Sequence, residues 1–440
     1  MKKNTIHIVF SGGGTAGHLF PGLAVAQRLA AAISRVRITF CGVGKPLERK
    51  SVTRAGFDYV TLPARPLPGG AREAVAFLVE NLASYLAAGR YLREEHVAAV
   101  VGLGGYASVP MARAATRRHV PLVLLEQNAV AGKATRWLAR RAALICTSFE
   151  QTGALLRCQC PIRATGNPVR GEFFAKSSGE RRDSGRPNDP SRRVDAAAKL
   201  NPDLQSPLPD LRSLIPDPQS LIPDPRSPIP DPQSLIPNPQ SLIPNPSLTQ
   251  LLVLGGSGGA RSLNENVPRA LYKIRQQLAG WQIVHQSGEA DFDATRNLYA
   301  KFDLPATVTP FLGDMPTALA ATDLAVCRAG GTTLAELAIA GVPAVLLPYP
   351  HAADDHQAAN ARHFAAGGGC ITIDERDVPG RLDDHLADML CFLVANEGLR
   401  RQMSAAMGEL ARPNAAADVA ELIWSIVSSR SLRAELSAVL

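Results

Sequence analysis

A paired glycine turn, a helix start and an acid one turn further on follow one another in the stretch from Cys327 to Asn360, CRAGGTTLAELAIAGVPAVLLPYPHAADDHQAAN. Asp323 to Cys327 is short and apolar and reads as a buried strand, while Gly330-Gly331 lets the backbone turn sharply and come close to a ligand. Thr332 and Thr333 are residues that begin helices. The segment LAELAIAG then puts Leu334, Leu337 and Ala338 on one helical face and ends at Gly341. Free backbone N–H groups and the positive dipole end of such a helix face a phosphate. Glu336, one turn in, is placed to accept hydrogen bonds from a ribose diol. A second buried strand follows, and HAADDHQAAN reads as a polar loop able to contact a sugar. These are the parts of a nucleotide-sugar site.

Three more strand-turn-helix units carry glycines at the strand end. IHIVF leads into SGGGTAGHLFPGLAVAQRLA, VAAVVGLGGYASVPMARAAT repeats the plan, and QLLVLGGSGGARSLNENV repeats it again. A dinucleotide fingerprint fits SGGGTAGHLF only loosely, and the acid expected at the end of the next strand is missing from RVRITFCGVG. None of the turns has the Gly-Lys-Ser/Thr ending of a P-loop. His18 follows the first turn at the start of a helix, where the dipole disfavours a protonated imidazole, so a neutral His18 could take a proton from an attacking hydroxyl. The alternative is a histidine that merely fills the turn. Asp291-Phe-Asp293 resembles the spaced acids with which some sugar transferases hold a divalent metal, but its place after SGEA reads better as a helix start.

Such sites need large domains to position them, and 440 residues with 46% hydrophobic content suffice for two. The apolar run in MKKNTIHIVF breaks at Ser11-Gly12, too short for a signal-peptide core, and the expected location is the cytoplasm. No window reaches the roughly 18 apolar residues that span a bilayer, so membrane contact is expected to be peripheral. Seven cysteines at irregular spacing argue against a disulfide framework, and Cys158-Gln-Cys160 lacks a second pair at zinc spacing. The net charge of +8 hides an asymmetry: residues 1–170 hold 23 Lys/Arg against 8 Asp/Glu, and residues 171–440 hold 24 against 31. The basic half points to an anionic partner, whether nucleic acid, a phospholipid surface or a pyrophosphate substrate, or else is a solvated face.

Residues 201–247 break from their surroundings. A seven-residue unit, approximately S-L-I-P-D-P-Q, recurs from Ser206, Ser213, Ser220, Ser227, Ser234 and Ser241. Two prolines in most units block a helix, so the repeat reads as a polyproline-like, disordered insertion and not as a coiled coil. Strand and helix signals alternate on both sides of it, implying two doubly wound α/β parallel sheets. Ligands of such sheets sit at the carboxyl ends of the strands, where all four glycine turns lie, so the expected site is a cleft between the domains.

Taken together, these motifs resemble the MurG family of bacterial peptidoglycan enzymes. The resemblance rests on GGGTAGHLFPGLAVA, GLGGYAS, EQN at 126–128, GNPVR at 166–170, GGSGGAR, HQSG at 285–288, FLGDM at 311–315 and the block from CRAGG to HQAAN. It covers nearly the whole chain outside about 177–249. It implies a GT-B fold: an N-terminal Rossmann-like domain at 1–170 facing acceptor and membrane, an inserted linker at 171–249, a UDP-sugar-binding domain at 250–412, and a C-terminal helix at 413–440 that packs back on the first domain. The implied reaction is inverting and metal-independent, with no cofactor. It moves N-acetylglucosamine from UDP-N-acetylglucosamine to the 4-hydroxyl of a lipid-linked muramyl-pentapeptide at the cytoplasmic face of the inner membrane, with no nucleic-acid partner.

Matching residues carry the family's roles. Thr15, Ala16 and Gly17 correspond to a loop near the donor sugar, Asn128 and Arg170 to donor contacts from the N-terminal domain and the domain junction, and Ser257 to a diphosphate contact. Leu312 stands at the uracil position, and Gly331, Thr332, Thr333, Leu334 and Ala335 line the phosphate helix. Glu336 takes the ribose and Gln357 the sugar hydroxyls. Gly104, Gly105 and Tyr106 match a loop that meets the acceptor pyrophosphate. Ala16 stands where glycine is usual, Leu125 where histidine is common before EQN, and Gly258 where glutamine is common. Leu125 removes one candidate base, leaving His18 or another group. In AREAVAFLVENLASYLAAGRYLR, Val75, Leu78, Val79, Leu82 and Leu86 form one apolar helical face that suits either a membrane surface or ordinary core. An epimerase of similar architecture and a non-enzymatic scaffold recruiting partners through the repeats are the rival readings.

Overall fold

A computed structural model describes residues 5–174, 248–256 and 258–439; the proline repeats and Ser257 lie outside the described residues. The first sheet contains β1 (Ile6–Ser11), β2 (Val36–Gly42), β3 (Asp58–Thr61), β4 (Val97–Gly102), β5 (Leu122–Glu126), β6 (Leu144–Thr147) and β7 (Ile162–Ala164), in the order β3-β2-β1-β4-β5-β6-β7. The second contains β8 (Thr249–Leu254), β9 (Trp281–Gln286), β10 (Ala306–Thr309), β11 (Leu324–Cys327), β12 (Ala344–Leu346) and β13 (Cys370–Thr372), in the order β10-β9-β8-β11-β12-β13. Every pairing is parallel. Helices cover both faces of such sheets, so the central strands are continuous apolar runs: Ile8, Val9, Phe10 and Leu251 to Val253 are fully buried.

Strand order reverses between β1 and β4 in one sheet and between β8 and β11 in the other. Ser11 at the end of β1 is level with Gly102 at the end of β4, and Leu254 at the end of β8 is level with Cys327 at the end of β11. The four glycine turns therefore leave the sheets at the two switch points, where diverging connections open a crevice. The two crevices face each other.

Their approach is held by direct contacts between the halves. Asn360 is fully buried; its Oδ1 accepts from Ala129 N–H at 2.8 Å, and its Nδ2 donates to Asn128 Oδ1 and Ala329 O. Thr332 Oγ1 donates to Gly17 O at 2.8 Å. A hydrophobic cluster joins Ala129, Phe149, Val169 and Phe173 to Leu334, Leu337 and Phe364 across the junction. Nearer the edge, Arg136 and Asp354 pair at 2.6 Å. The C-terminal helix, Ala415–Val439, crosses back: Val419, Ala420, Ile423 and Val427 complete the core around Ile8, Phe10 and Leu23.

Two local expectations change. HAADDHQAAN is a polar loop only as far as Asp355, because His356–Ala366 is a helix that buries Ala358, Asn360, Ala361 and Phe364 against the sheet. Asp354 and Asp355, at φ 53° and 54°, adopt the left-handed backbone that aspartate tolerates better than most residues and redirect the chain into that helix. The helix Ala71–Glu94 leaves its apolar face in solvent, with Val75, Leu78, Val79, Leu82 and Leu86 each more than half exposed. Among the described residues none covers that face, which is not the ordinary-core alternative.

Ile423 is fully buried in the first domain's core although it belongs to the chain's last helix. Ile423→Ala should cost about 2–5 kcal/mol, as large-to-small core substitutions do. The loss should appear in urea unfolding as a lowered midpoint of the N-terminal domain's transition.

Candidate active site

A cavity of about 1450 Å³ fills the space between the two crevices. Of the residues singled out from the sequence, Thr15, Ala16, Gly17, His18, Asn128 and Arg170 line it from one side, and Leu312, Gly331, Thr332, Thr333, Glu336 and Gln357 from the other. Leu334 and Ala335 do not: Leu334 is fully buried in the second domain's core and Ala335 packs against that core, so neither side chain reaches the cavity. Helical spacing requires this, since Leu334, Leu337 and Ala338 share the face turned to the sheet. Gly104, Gly105 and Tyr106 are not among the lining residues; the two glycines lie against the His18 ring, and Tyr106 opens a short turn, Tyr106–Ser108.

The helix Gly331–Ala340 begins at the cavity and stops at Gly341, whose φ of 62° is the left-handed cap. Gly331 must be glycine. A Cβ there would stand 2.1 Å from the carbonyl oxygen of Gln127 in the other domain. The helix Ala16–Ala32 begins at the same cavity from the opposite side, and Thr332 Oγ1 bridges to Gly17 O between the two starts. Two sets of free N–H groups and two positive dipole ends thus converge on one space, a strong anion site.

Glu336 lies one turn into the Gly331–Ala340 helix and is nearly buried. Burial pushes its carboxyl up to about 7, opposed by the Arg170 guanidinium, whose Nη2 is 3.6 Å from Glu336 Oε1. The Arg170 guanidinium carbon lies 4.3 Å from the ring centre of Phe20 and 5.4 Å from that of Phe173, and its buried Nε has no partner among the described residues. A carboxylate and a guanidinium that satisfy each other incompletely are available to a ligand's hydroxyls and oxygens. Gln357 Oε1 accepts from Tyr349 N–H at 2.9 Å, which fixes the amide at the cavity wall.

His18 Nδ1 is 2.9 Å from Thr15 Oγ1. Burial holds the imidazole below its ordinary value, with the Glu126 charge pulling the other way and His356 adding to the depression. The neutral ring expected at this position is the form the surroundings favour. Gly104, at φ 93°, leaves room for it: a Cβ there would lie 3.0 Å from His18 Cδ2.

Sequence reasoning missed several supports. Glu126 is buried and takes Asn128 N–H and Nδ2 on Oε1 and Gly132 N–H on Oε2, shaping the EQN turn. Arg328 Nη1 donates to Leu347 O and Pro348 O and pairs with Glu375, holding the loop that carries Tyr349. Glu48 ties two loops together. For Glu48 the sequence did hold a signal, the Pro46-x-Glu48 helix start after β2, which says nothing of burial. Asp291 immediately precedes the helix Phe292–Lys301 and accepts from Asn264 Nδ2, while Asp293 pairs with Arg296, in keeping with a helix start.

Two parallel-sheet domains with an anion site at their facing switch points make up the GT-B fold of enzymes that use nucleotide sugars. Residues 8–147 match the glycosyltransferase family 28 N-terminal domain and residues 250–419 its C-terminal domain. A UDP-N-acetylglucosamine--N-acetylmuramyl-(pentapeptide) pyrophosphoryl-undecaprenol N-acetylglucosamine transferase from Magnetococcus marinus is 34% identical, with 98% of this chain and 100% of that protein covered. The crystal structure of Acinetobacter baumannii MurG superposes with a TM-score of 0.62 at 26% identity, covering 96% of this chain and 99% of that one. The chain belongs to the MurG family of glycosyltransferases. A putative UDP-N-acetylglucosamine 2-epimerase from Listeria monocytogenes shares the fold, with a TM-score of 0.60 at 12% identity over 97% of this chain and 98% of that one.

The raised carboxyl of Glu336 has a stability consequence. Between 4.5, its unperturbed value, and about 7 the folded chain holds a proton that the unfolded chain has released. Stability from this group is therefore complete below pH 4.5 and is lost as pH rises through about 7. The melting temperature of the wild type should fall relative to Glu336→Gln across that window; parallel curves would show that the carboxyl titrates normally.

Proposed function

We propose that the chain transfers N-acetylglucosamine from UDP-N-acetylglucosamine to the 4-hydroxyl of the muramyl residue of undecaprenyl-pyrophosphoryl-muramyl-pentapeptide, the lipid-linked step of peptidoglycan synthesis. The observation that carries the reading is the helix start at Gly331, with buried Glu336 one turn behind it and Arg170 beside it, in a cleft large enough for donor and acceptor sugar together. The ribose diol donates to Glu336. The diphosphate lies against the N–H groups of Gly331 to Thr333, and uracil against Leu312. Gln357 meets the sugar hydroxyls, with Asn128 and the Thr15–Gly17 corner closing the site from the first domain. Gly104 to Tyr106 face the acceptor pyrophosphate.

In the reaction the muramyl oxygen attacks the anomeric carbon as the bond from that carbon to the UDP oxygen breaks, with inversion. Negative charge grows on the departing diphosphate, where the opposed helix starts stabilise it without having to reorganise. The hydroxyl proton passes to His18 Nε2, in the tautomer whose Nδ1–H donates to Thr15 Oγ1. Its depressed basicity keeps the ring unprotonated and ready near neutral pH.

The acceptor is a lipid, and the exposed apolar face of Ala71–Glu94 supports a docking surface for its membrane. The helix Val109–Arg117 packs against it and carries Arg113, stacked 5.5 Å over the half-exposed Trp137. Lys133, Arg136, Arg140 and Arg141 surround Trp137. Among the described residues no helix is long and apolar enough to cross a membrane. The first domain thus meets the cytoplasmic face of the inner membrane peripherally, apolar residues entering the interface and arginines meeting anionic headgroups.

Incubation with UDP-N-acetylglucosamine and lipid-linked muramyl-pentapeptide should release UDP and yield the disaccharide lipid, while the donor alone should be nearly inert; epimerised or free sugar without acceptor would overturn the reading. In the same assay His18→Ala should keep UDP affinity, measured by calorimetry, and lose about a hundred- to ten-thousandfold in turnover. A drop under about threefold would assign the proton to another group.

Vesicle sedimentation tests the docking surface. Binding should require anionic lipid and weaken as salt rises, since each basic residue at such a surface contributes on the order of 1 kcal/mol that salt screens. Equal binding to neutral vesicles at high salt would contradict it.

A further inference from the structure

Glu48 is a buried acid outside the cavity lining, and none of the family motifs recognised in the sequence contains it. It stands in the first turn of the helix Pro46–Arg54, after β2. Its Oε1 accepts from Gly14 N–H at 2.5 Å, in the first glycine turn. Its Oε2 accepts from Tyr59 Oη–H in β3 at 2.5 Å and, in the loop after β2, from Gly44 N–H at 3.1 Å and Lys45 N–H at 3.3 Å. Lys45 Nζ closes the circuit by donating to Gly14 O at 2.7 Å. Four donors from three elements converge on one carboxylate, and both peptide groups flanking the turn's tip are tied to the neighbouring loop.

The turn is built around that carboxylate. Gly13, at φ 147°, would place a Cβ 2.7 Å from Oε1, and a Cβ on Gly42 would lie 2.7 Å from Oε2. Gly14 is followed directly by Thr15, whose hydroxyl holds His18 Nδ1, and by the helix start that lines the cavity. The helix has no side-chain cap of its own at Thr15. The angle at which Thr15 and His18 enter the cleft is therefore set from behind, by Glu48.

We propose that Glu48 is a positioning residue for transfer: its carboxylate locks the Gly12–Gly14 turn and thereby aims the Thr15–His18 corner at the reacting hydroxyl, without touching either substrate. The proposal rests on the reading above that His18 serves the reaction. It predicts a particular division of effects. The uracil, ribose and Gly331–Thr333 contacts assigned above to the donor all lie on the second domain, so a shift of the Thr15–Gly17 corner costs donor binding little, while turnover, which depends on His18 geometry, falls far more. A displacement of about 1 Å at a catalytic group costs on the order of a hundredfold.

Glu48→Gln is the direct test, since the amide has one acceptor atom where the carboxylate has two. Its oxygen should stay with Tyr59, Gly44 and Lys45, leaving an NH2 against Gly14 N–H. Turnover should drop by about a hundredfold, with UDP affinity by calorimetry and donor KM within about threefold of wild type. Tyr59→Phe, which removes one donor from Oε2 and leaves the Gly14 bond, should lower the melting temperature and keep turnover within about threefold. A Glu48→Gln protein with turnover within threefold of wild type, or one losing donor affinity as much as turnover, would overturn the proposal. So would Tyr59→Phe matching Glu48→Gln in turnover at equal loss of melting temperature, which is the signature of general destabilisation.

If Glu48→Gln does not fold, the exposed Lys45→Met carries the test by cutting the second tie to Gly14: turnover should fall at least threefold at constant donor KM, and no change would overturn the proposal. The combined His18→Ala, Glu48→Gln protein should be no slower than the slower single variant, because both act on one group. Independent, multiplying losses would overturn the coupling. His18→Ala with normal turnover would refute the His18 reading, and a Glu48→Gln loss would then still show that the turn is needed.

Discussion

The architecture depends on two helix starts held face to face across a cleft whose floor is backbone against backbone. Gly331 lies against the Gln127 carbonyl, Thr332 bridges to Gly17 O, and buried Asn360 fastens Asn128 and Ala129 to Ala329. Each helix start carries roughly half a positive charge and unpaired N–H groups. Two of them facing one cavity repel each other weakly and leave donors unsatisfied, a state that a diphosphate resolves. Everything else is arranged so that this approach is possible. Glycines stand where a Cβ would collide, and apolar side chains join the halves behind the floor.

The charged groups around the cavity are tuned in opposite directions by the same burial. Glu336 is pushed towards its neutral form with Arg170 resisting, and His18 is pushed towards its neutral form with Glu126 resisting. In each case a counter-charge keeps the group poised instead of silent. A ligand that donates to Glu336 favours its ionised form, and in the proposed reaction the Glu126 charge would favour a proton arriving at His18. Groups poised in this way are what a binding or proton-transfer role calls for.

The same fold hosts epimerases as well as transferases, so the double sheet alone does not select a reaction. Membership of the family does, and the membrane docking proposed above gives the surface a use. An apolar helical face left in solvent next to an arginine-ringed tryptophan is costly for a protein whose substrates are all soluble. It fits an acceptor that never leaves the bilayer.

Local chemistry determined much of this molecule before any folding. The apolar runs ending in glycine fixed the strands, their turns and the parallel sheets, because only such runs survive burial on both faces. The spacing of Gly330-Gly331 and Glu336 placed the acid behind a phosphate-binding helix start. Helical period showed that Leu334 belongs with Leu337, yet only packing showed that it is lost to the cavity. The apolar face of Ala71–Glu94 was legible as a stripe. Whether it was covered depended on what the rest of the chain could bring against it, and no periodicity contains that. His356–Ala366 read as a loop because its first half, HQAAN, is polar, and only the sheet beneath it decides that Ala358, Asn360, Ala361 and Phe364 form a buried face. Glu126 and Asn360 stood inside recognised motifs and Glu48 in a legible helix start, but what each one holds could not be read for the same reason. Each matters through partners distant in sequence, and a hydrogen bond between such partners exists only after the tertiary structure has brought them together.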